Sequence, residues 1–178
     1  HIEEAGLQNR ITTRLSDGLK QYREGEADCL IIAGMGGPLM QEILSNKKVK
    51  DFKEIILAPQ SEICEFRKFL ADPGFEIIAE NMVFEDGKYY PMMKVHLVIK
   101  GEESWKAPSI PGTRDEEVAY RFGPLLLAHR HPVLIQYLHK EERKNIAILN
   151  SLKEYEGERI SARRNILEQE LFFIRKAL

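Results

Sequence analysis

The 178-residue chain carries 26 Lys and Arg against 28 Asp and Glu, a net charge of −2, and is 43% hydrophobic and 30% charged. Those figures suit one globular domain, or one with a modest appendage, and they exclude a global basic field for nucleic acid, so any RNA contact must come from a local patch. No apolar run nears the roughly 18 residues of a membrane span, and no charged-then-apolar leader opens the chain.

In chain order, His1 to Leu7 reads as the last turn of a helix closed by Gly6 in a left-handed cap. Arg10-Ile-Thr-Thr-Arg-Leu15 alternates and is β-branched, which predicts a strand, followed by a polar loop at Ser16-Asp17-Gly18. A short helix or turn is expected over 18–25. The apolar run Cys29 to Ala33 predicts a strand buried on both faces, and a helix over 38–45 follows, with Pro38 in its first turn. Cys29 and Cys64 stand singly within apolar patterns, as reduced core thiols rather than a disulfide or metal framework. Glu54 to Ala58 is a second strand. Ser61 is placed to cap a helix over 62–71 whose inner face holds Ile63, Phe66 and Leu70, and Pro73-Gly74 breaks it. Two strand-like stretches, 75–84 and 89–99, flank Asp86-Gly87, a hairpin signal.

Alternation of strand and helix implies a mostly parallel sheet with helices on both faces, and the closing antiparallel hairpin narrows the fold to the Rossmann-like methyltransferase type. Residues 101–113 read as a linker. From Arg114 onward only helix is expected. Leu167, Leu171, Ile174 and Leu178 form a coiled-coil-like seam, and Gly157 separates it from an earlier helix starting near Pro132. The domains are thus expected at 1–105 and 106–178. The seam suits packing within the hairpin or against another chain.

Ligands of parallel α/β sheets bind beyond the carboxyl ends of the strands. Three such ends are visible: Ser16-Asp17-Gly18-Leu19, Gly34-Met35-Gly36-Gly37 and Pro59-Gln60-Ser61. A carboxylate in the first can accept an adenine's exocyclic amino protons. Glycines in the second let backbone approach a ligand while Met35 lies along a flat ring. The third offers an amide and a hydroxyl. Taken singly each is an ordinary turn, strand–helix connection or helix cap. Their joint position at one rim is what suggests a site.

The run Leu30-Ile-Ile-Ala-Gly-Met-Gly-Gly37, with Ser16-Asp17-Gly18-Leu19 before it and Phe84-Glu-Asp-Gly-Lys-Tyr89 after it, resembles the bacterial tRNA (adenine-22, N1)-methyltransferase family, as does Phe122-Gly-Pro-Leu-Leu126 with the helical tail. The resemblance implies an α/β, Rossmann-like domain that binds S-adenosyl-L-methionine (SAM), then a helical, coiled-coil-like hairpin, in a cytoplasmic enzyme acting on tRNA. By it, Asp17, Gly18 and Leu19 would hold the adenine of SAM, and Gly34, Met35, Gly36 and Gly37 would line the methyl-transfer end. The family's first strand, with its Asp-x-Gly-Ser-Asp-His-like loop, and an acidic residue after its second strand would lie before His1, so a polypeptide beginning at His1 is expected to bind SAM poorly.

Methylation of adenine N1 needs no general base, because that nitrogen carries a lone pair and no proton at neutral pH. Alignment and exclusion of water remain as the enzyme's tasks. Gln60 is a candidate for reading the base edge, and Asp86 or Glu85 for stabilising the charge that develops. Tyr89 or Tyr90 is a candidate for stacking on an extruded base. The simpler readings are a solvated hairpin tip and half-buried sheet tyrosines. Lys140, Arg143, Lys144, Lys153, Arg159, Arg163 and Arg164 offer a local basic face for phosphates, or a solvated helix surface. His129 and His131 lack a third ligand nearby, so no metal is expected. Two other readings stand beside the enzyme: a non-catalytic RNA-binding module on a degenerate fold, and a methyltransferase of different substrate.

Overall fold

The computed structural model describes residues 1–72, 74–98 and 116–178. The expected linker 101–113, the boundary between residues 105 and 106, Pro73 and the end of the second hairpin stretch at Ile99 lie outside the described residues. Strand β1 (Cys29–Ala33) runs parallel to β2 (Glu54–Ala58) in register Cys29 to Glu54 through Ala33 to Ala58. Between them come helix α1 (Gly37–Leu44) and a 3-10 turn, Lys47–Asp51. Helix α2 (Ile63–Ala71) leads into the hairpin of β3 (Phe75–Glu85) and β4 (Lys88–Leu97), and β4 inserts antiparallel beside β2, giving the order β1-β2-β4-β3. The hairpin turns on Asp86 (φ 48°) and Gly87 (φ 79°), both left-handed as a type I′ turn requires. Its register slips once, between Ile77 and Ala79. The tail folds as α3 (Glu116–Phe122), α4 (Pro124–Ala128), α5 (Pro132–Ser151) and α6 (Glu158–Ala177). Among the described residues, no helix is long and apolar enough to cross a membrane.

Two cores result. The first gathers Ile32, Met40, Ile55, Leu57, Phe66 and Val95 beneath the sheet. The second gathers Met82, Val118, Leu126, Leu134, Leu138 and Ile174 between the hairpin's outer half and the tail. Each fully buried aliphatic side chain stabilises by about 1.5–3 kcal/mol before entropy is counted. The seam holds as expected: Leu167, Leu171 and Ile174 are buried, and a buried Asn145 on α5 donates to Glu170 on α6 at 3.1 Å.

Where the cores meet, an ion pair lies beside Leu125 of the tail, which packs on the first core. Arg67 on α2 and Glu80 on β3 pair at 3.0 Å with side chains 2% and 0% exposed. Arg67 also donates to the carbonyls of Tyr120 and Arg121 at the end of α3, and Glu80 accepts from the backbone N–H of Leu125 and Leu126 at the start of α4. The pair therefore satisfies orphan groups at both helix ends. Gly123 turns between those helices at φ 95°, and a Cβ there would stand 2.7 Å from Glu80 Oε1.

Several expectations need correction. Residues 11–16 form no strand, and Leu15 is 99% exposed. β-branched alternation favours extended backbone, but a strand exists only where a neighbour takes its N–H and C=O groups, and among the described residues none does. Among the described residues strand β1 is covered on one face alone: Ile32 is buried while Ile31 is 66% exposed. Cys29 is exposed rather than a core thiol, and Cys64 is half-buried. Ser61 does not cap α2. Glu62 occupies that position in a left-handed conformation (φ 53°) with no side-chain cap. At the amino terminus the closing turn is as expected, with Gly6 at φ 66° and Leu7 N–H donating to Ile2 O.

Candidate functional site

The Asp17 loop is closed at its base. Arg14 and Glu26 form a two-pronged ion pair, and Arg14 Nη1 also donates to Gln21 O at 2.9 Å. The Arg14 hydrogen bond, with help from the backbone N–H of Arg23, pulls the Glu26 carboxyl down to about 2. Ser16 Oγ donates to Gly18 O and accepts from Gln21 N–H, and Lys48 Nζ donates to the carbonyls of Leu19, Lys20 and Tyr22. The result is an Ω-like loop whose backbone shape is fixed from below. Leu19 inserts into the first core, Gly18 takes φ 53° against Ile43, and the Asp17 carboxylate, 76% exposed, holds the Lys20 ammonium at 2.5 Å. Hydrogen bonding to Asp17 raises the Lys20 pKa.

The other two strand ends interlock. Gln60 N–H donates to Met35 O at 3.0 Å and Gly37 N–H to Ser61 O at 3.2 Å. A Cβ on Gly36 would meet Ser61 Oγ at 2.8 Å, and one on Gly37 would meet Ser61 O at 3.1 Å. Glycine at those two positions is therefore explained by the close approach of the β2–α2 loop. Gly34 differs: it has φ 79° and nothing within 4 Å of where a side chain would stand, so its backbone faces open space. Met35 is half-buried against the first core, while the Gln60 side chain is exposed at the rim.

The remaining predicted residues lie on the hairpin. Asp86 is an exposed turn residue whose left-handed φ suits Asp. Tyr89 points into the second core's margin. Its ring tilts on Phe84 at 4.6 Å and meets Tyr137 of α5 edge-on at 5.1 Å, and Lys140 Nζ lies 5.5 Å from the Phe84 centroid and 5.0 Å from that of Tyr89. A cavity of about 270 Å³ opens here, lined by Tyr89, Tyr137, Met82, Pro91, Phe122 and Lys88 among others. A second of about 260 Å³ adjoins it and shares Ile63, Arg121, Phe122 and Tyr137. Ile63, which lines both cavities, begins α2 just past the Gln60–Ser61 loop. Burial, then the Glu141 and Glu170 carboxylates, push the Tyr137 hydroxyl up to about 12, so it stays a donor at neutral pH.

The structure thus brings Gly34–Gly37 and Gln60 together directly, and places Tyr89 in a cavity whose lining includes Ile63, three residues after Gln60. The Asp17 loop is anchored apart, on Ile43 and Lys48, and meets Met35 only through the shared core. Sequence reasoning missed Arg14, Glu26, Lys48 and Tyr137. Tyr137 had one visible signal, its place beside Leu134 and Leu138 at helical spacing. Of the basic residues, Arg164 binds the carbonyls of Leu152 and Tyr155 at the end of α5, and Lys144 pairs with Glu141. His131 hydrogen-bonds Asn81 Oδ1 at 2.9 Å.

A family model described as tRNA (adenine(22)-N(1))-methyltransferase matches residues 1–176. A curated relative, the tRNA (adenine(22)-N(1))-methyltransferase of Bacillus subtilis (strain 168), is 36% identical over 94 residues, which is 52% of this chain and 40% of that protein. The match therefore spans well under half of the relative's length. A Streptococcus pneumoniae structure, of a candidate tRNA (m1A22) methyltransferase in complex with S-adenosyl-L-methionine, superposes with TM-score 0.76 at 29% identity, covering 99% of this chain and 72% of that one. A Streptococcus agalactiae protein of the NADB-Rossmann superfamily does so with TM-score 0.76 at 30% identity, covering 99% and 72%.

Proposed function

The chain belongs to the tRNA (adenine(22)-N(1))-methyltransferase family, and from that premise we propose that it serves the SAM-dependent methylation of N1 of adenine 22 in tRNA, in the cytoplasm. The family match over residues 1–176 carries this reading. The division into a SAM-binding part, 1–105, and a helical part, 106–178, belongs to it.

The fit to SAM rests on the rim. Gly34 offers bare backbone facing open space, Met35 an apolar side chain beside it, and Asp17 an exposed carboxylate on a loop held rigid by Arg14, Glu26 and Lys48. In this reading Asp17, with the backbone of Gly18 and Leu19, takes the cofactor's adenine, whose amino group competes with the Lys20 ammonium for the carboxylate. Gly34, Met35, Gly36 and Gly37 line the methyl end. Bound there, SAM supplies an electrophilic methyl on a positively charged sulfur. The protein's own work is to hold N1 in line with that methyl and keep water out. Gln60, exposed at the rim, is proposed to read the base edge, Tyr89 to stack on the ring, and Asp86 to favour the cation formed when N1 gains the methyl.

The test is mass spectrometry of an unmodified tRNA transcript incubated with SAM and the full gene product that contains this chain. The expected product is 1-methyladenosine at position 22, abolished when that adenine is replaced by guanine. Methylation at another position or at the exocyclic amine overturns the reading.

A further inference from the structure

Resting on that reading, we propose that the acceptor adenine is held in the crevice between the β3–β4 hairpin and the helical tail, so that Tyr137 of α5 forms a wall of the base pocket and Lys88 and Lys140 guard its mouth. The helical tail is then part of the site that receives the base.

Four observations converge. The cavity's walls are those a flat heteroaromatic ring requires: Tyr89, Tyr137, Phe122, Pro91 and Met82. Ile63 lines the cavity and stands three residues after Gln60 at the start of α2, which puts that wall near the rim. Its charges are sorted. Two guanidiniums in the wall already have carboxylate partners, Arg67 in Glu80 and Arg121 in Glu117, the latter shared with Lys68. That leaves Lys88 in the lining and Lys140, seated over the Phe84 and Tyr89 rings, as cations at the exposed hairpin end, where a phosphate on either side of an extruded nucleotide would lie. Last, the Glu170 carboxylate, hydrogen-bonded by the neutral Asn145, lines the adjoining cavity behind Tyr137 beside Glu141, whose charge Lys144 balances. A neighbouring base stays neutral and gains nothing from the Glu170 carboxylate. The acceptor becomes a cation on methylation, and the Glu170 carboxylate behind its pocket favours that charge. This asymmetry is why the acceptor is assigned as the occupant.

Extrusion of the base costs stacking, and an aromatic wall returns it. The experiment is tRNA binding, which needs no methyl donor. Affinities of the chain and of Tyr137→Ala and Lys140→Ala are measured by fluorescence anisotropy on two transcripts, one intact and one abasic at position 22. Tyr137→Ala is expected to weaken binding of the intact transcript by about tenfold, the scale of one lost base–aromatic stack, and to leave the abasic transcript unaffected. Lys140→Ala is expected to weaken both alike and to flatten the salt dependence by about one counterion. Tyr137→Phe, which keeps the ring, guards against misfolding and should bind like the parent. Equal losses on both transcripts for Tyr137→Ala, or a loss that follows an abasic site at position 21 or 23, overturns the assignment while leaving tRNA methylation standing. Failure of the parent chain to bind either transcript overturns both.

Discussion

Around Ile55, Leu57, Met93 and Val95 the sheet is sealed by apolar contact, with all four side chains fully buried and no charge among them. Where the hairpin meets α3 and α4 the seal is an ion pair just as deeply buried, Arg67 with Glu80, whose spare hydrogen-bonding capacity is spent on four backbone groups of the tail. An apolar seal tolerates sliding and repacking of similar volumes. A hydrogen-bonded ionic one accepts a single geometry, because every lost bond leaves a buried charge unsatisfied. The difference suits the two tasks: the first core has only to hold the strand ends in place, whereas the second must fix the tail at a set position beside the crevice.

Glu80→Ala should break this contrast most severely. It strands a buried guanidinium, for which a loss of about 3–5 kcal/mol is expected in urea unfolding, and hydrogen exchange should report α3 and α4 opening ahead of the sheet. A loss below about 1 kcal/mol would mean the joint is sealed by its apolar surroundings after all. Gly123→Ala comes next, at about 1–3 kcal/mol, since its φ of 95° and the 2.7 Å approach to Glu80 oppose any side chain. Pairing it with Glu80→Ala should give less than the sum, because the clash with Glu80 goes with its carboxylate and only the approach of Arg67 Nη2 at 2.9 Å remains.

Smaller effects sharpen the comparison through ionisation. Burial, then Glu117, raises the Cys64 thiol at the joint above its ordinary range. Since the thiolate is the nucleophile, alkylation followed by mass spectrometry should modify the exposed Cys29 first, with Cys64 responding only at more alkaline pH. In the first region the perturbed acid is on the surface. Glu26 should titrate near 2 in a carboxyl NMR experiment, against a usual 4.5. A lowered folded-state pKa means that its contribution is complete above about 4.5 and lost as pH falls through about 2. Arg14→Ala should return the midpoint toward the usual value with little change in overall stability.

Much of the sheet was legible because its signals are local. Glu54 to Ala58 is a short apolar run between polar residues, and Asp86-Gly87 is a turn that only left-handed residues make. The seam of Leu167, Leu171 and Ile174 repeats at helical spacing. What escaped depends on distant partners. Arg67 lies on the inner face of α2 at the spacing of a core residue, yet its charge marks it as surface until Glu80, thirteen residues away, is placed beside it. The strand expected at Arg10 to Leu15 had every local qualification and lacked a neighbour. The same limit applies at the site: the strand-end glycines were visible in the sequence, while Lys48 and Tyr137 become relevant only once folding brings them against the Asp17 loop and Tyr89.

The register slip in the hairpin has an arithmetical consequence. Strand β3 has 11 residues and β4 has 10, and the surplus residue sits where Ile77 pairs with Val95 and Ala79 with Lys94. Before the slip, odd-numbered residues of β3 point inward, as buried Phe75 and Ile77 show; after it even-numbered ones do, as Glu80 opposite Met93 and buried Met82 show. A ladder without the slip would turn Glu80 to solvent and Asn81 inward, and Arg67 would face an empty seat. Excising Ile78 should therefore be tolerated, since ten residues then match ten and Glu80 keeps its parity, whereas excising Asn81, a more polar and more exposed-looking choice, also matches ten to ten but leaves Met82 opposite Pro91 and moves Glu80 opposite Met92, on the outer face, so that Arg67 loses its partner.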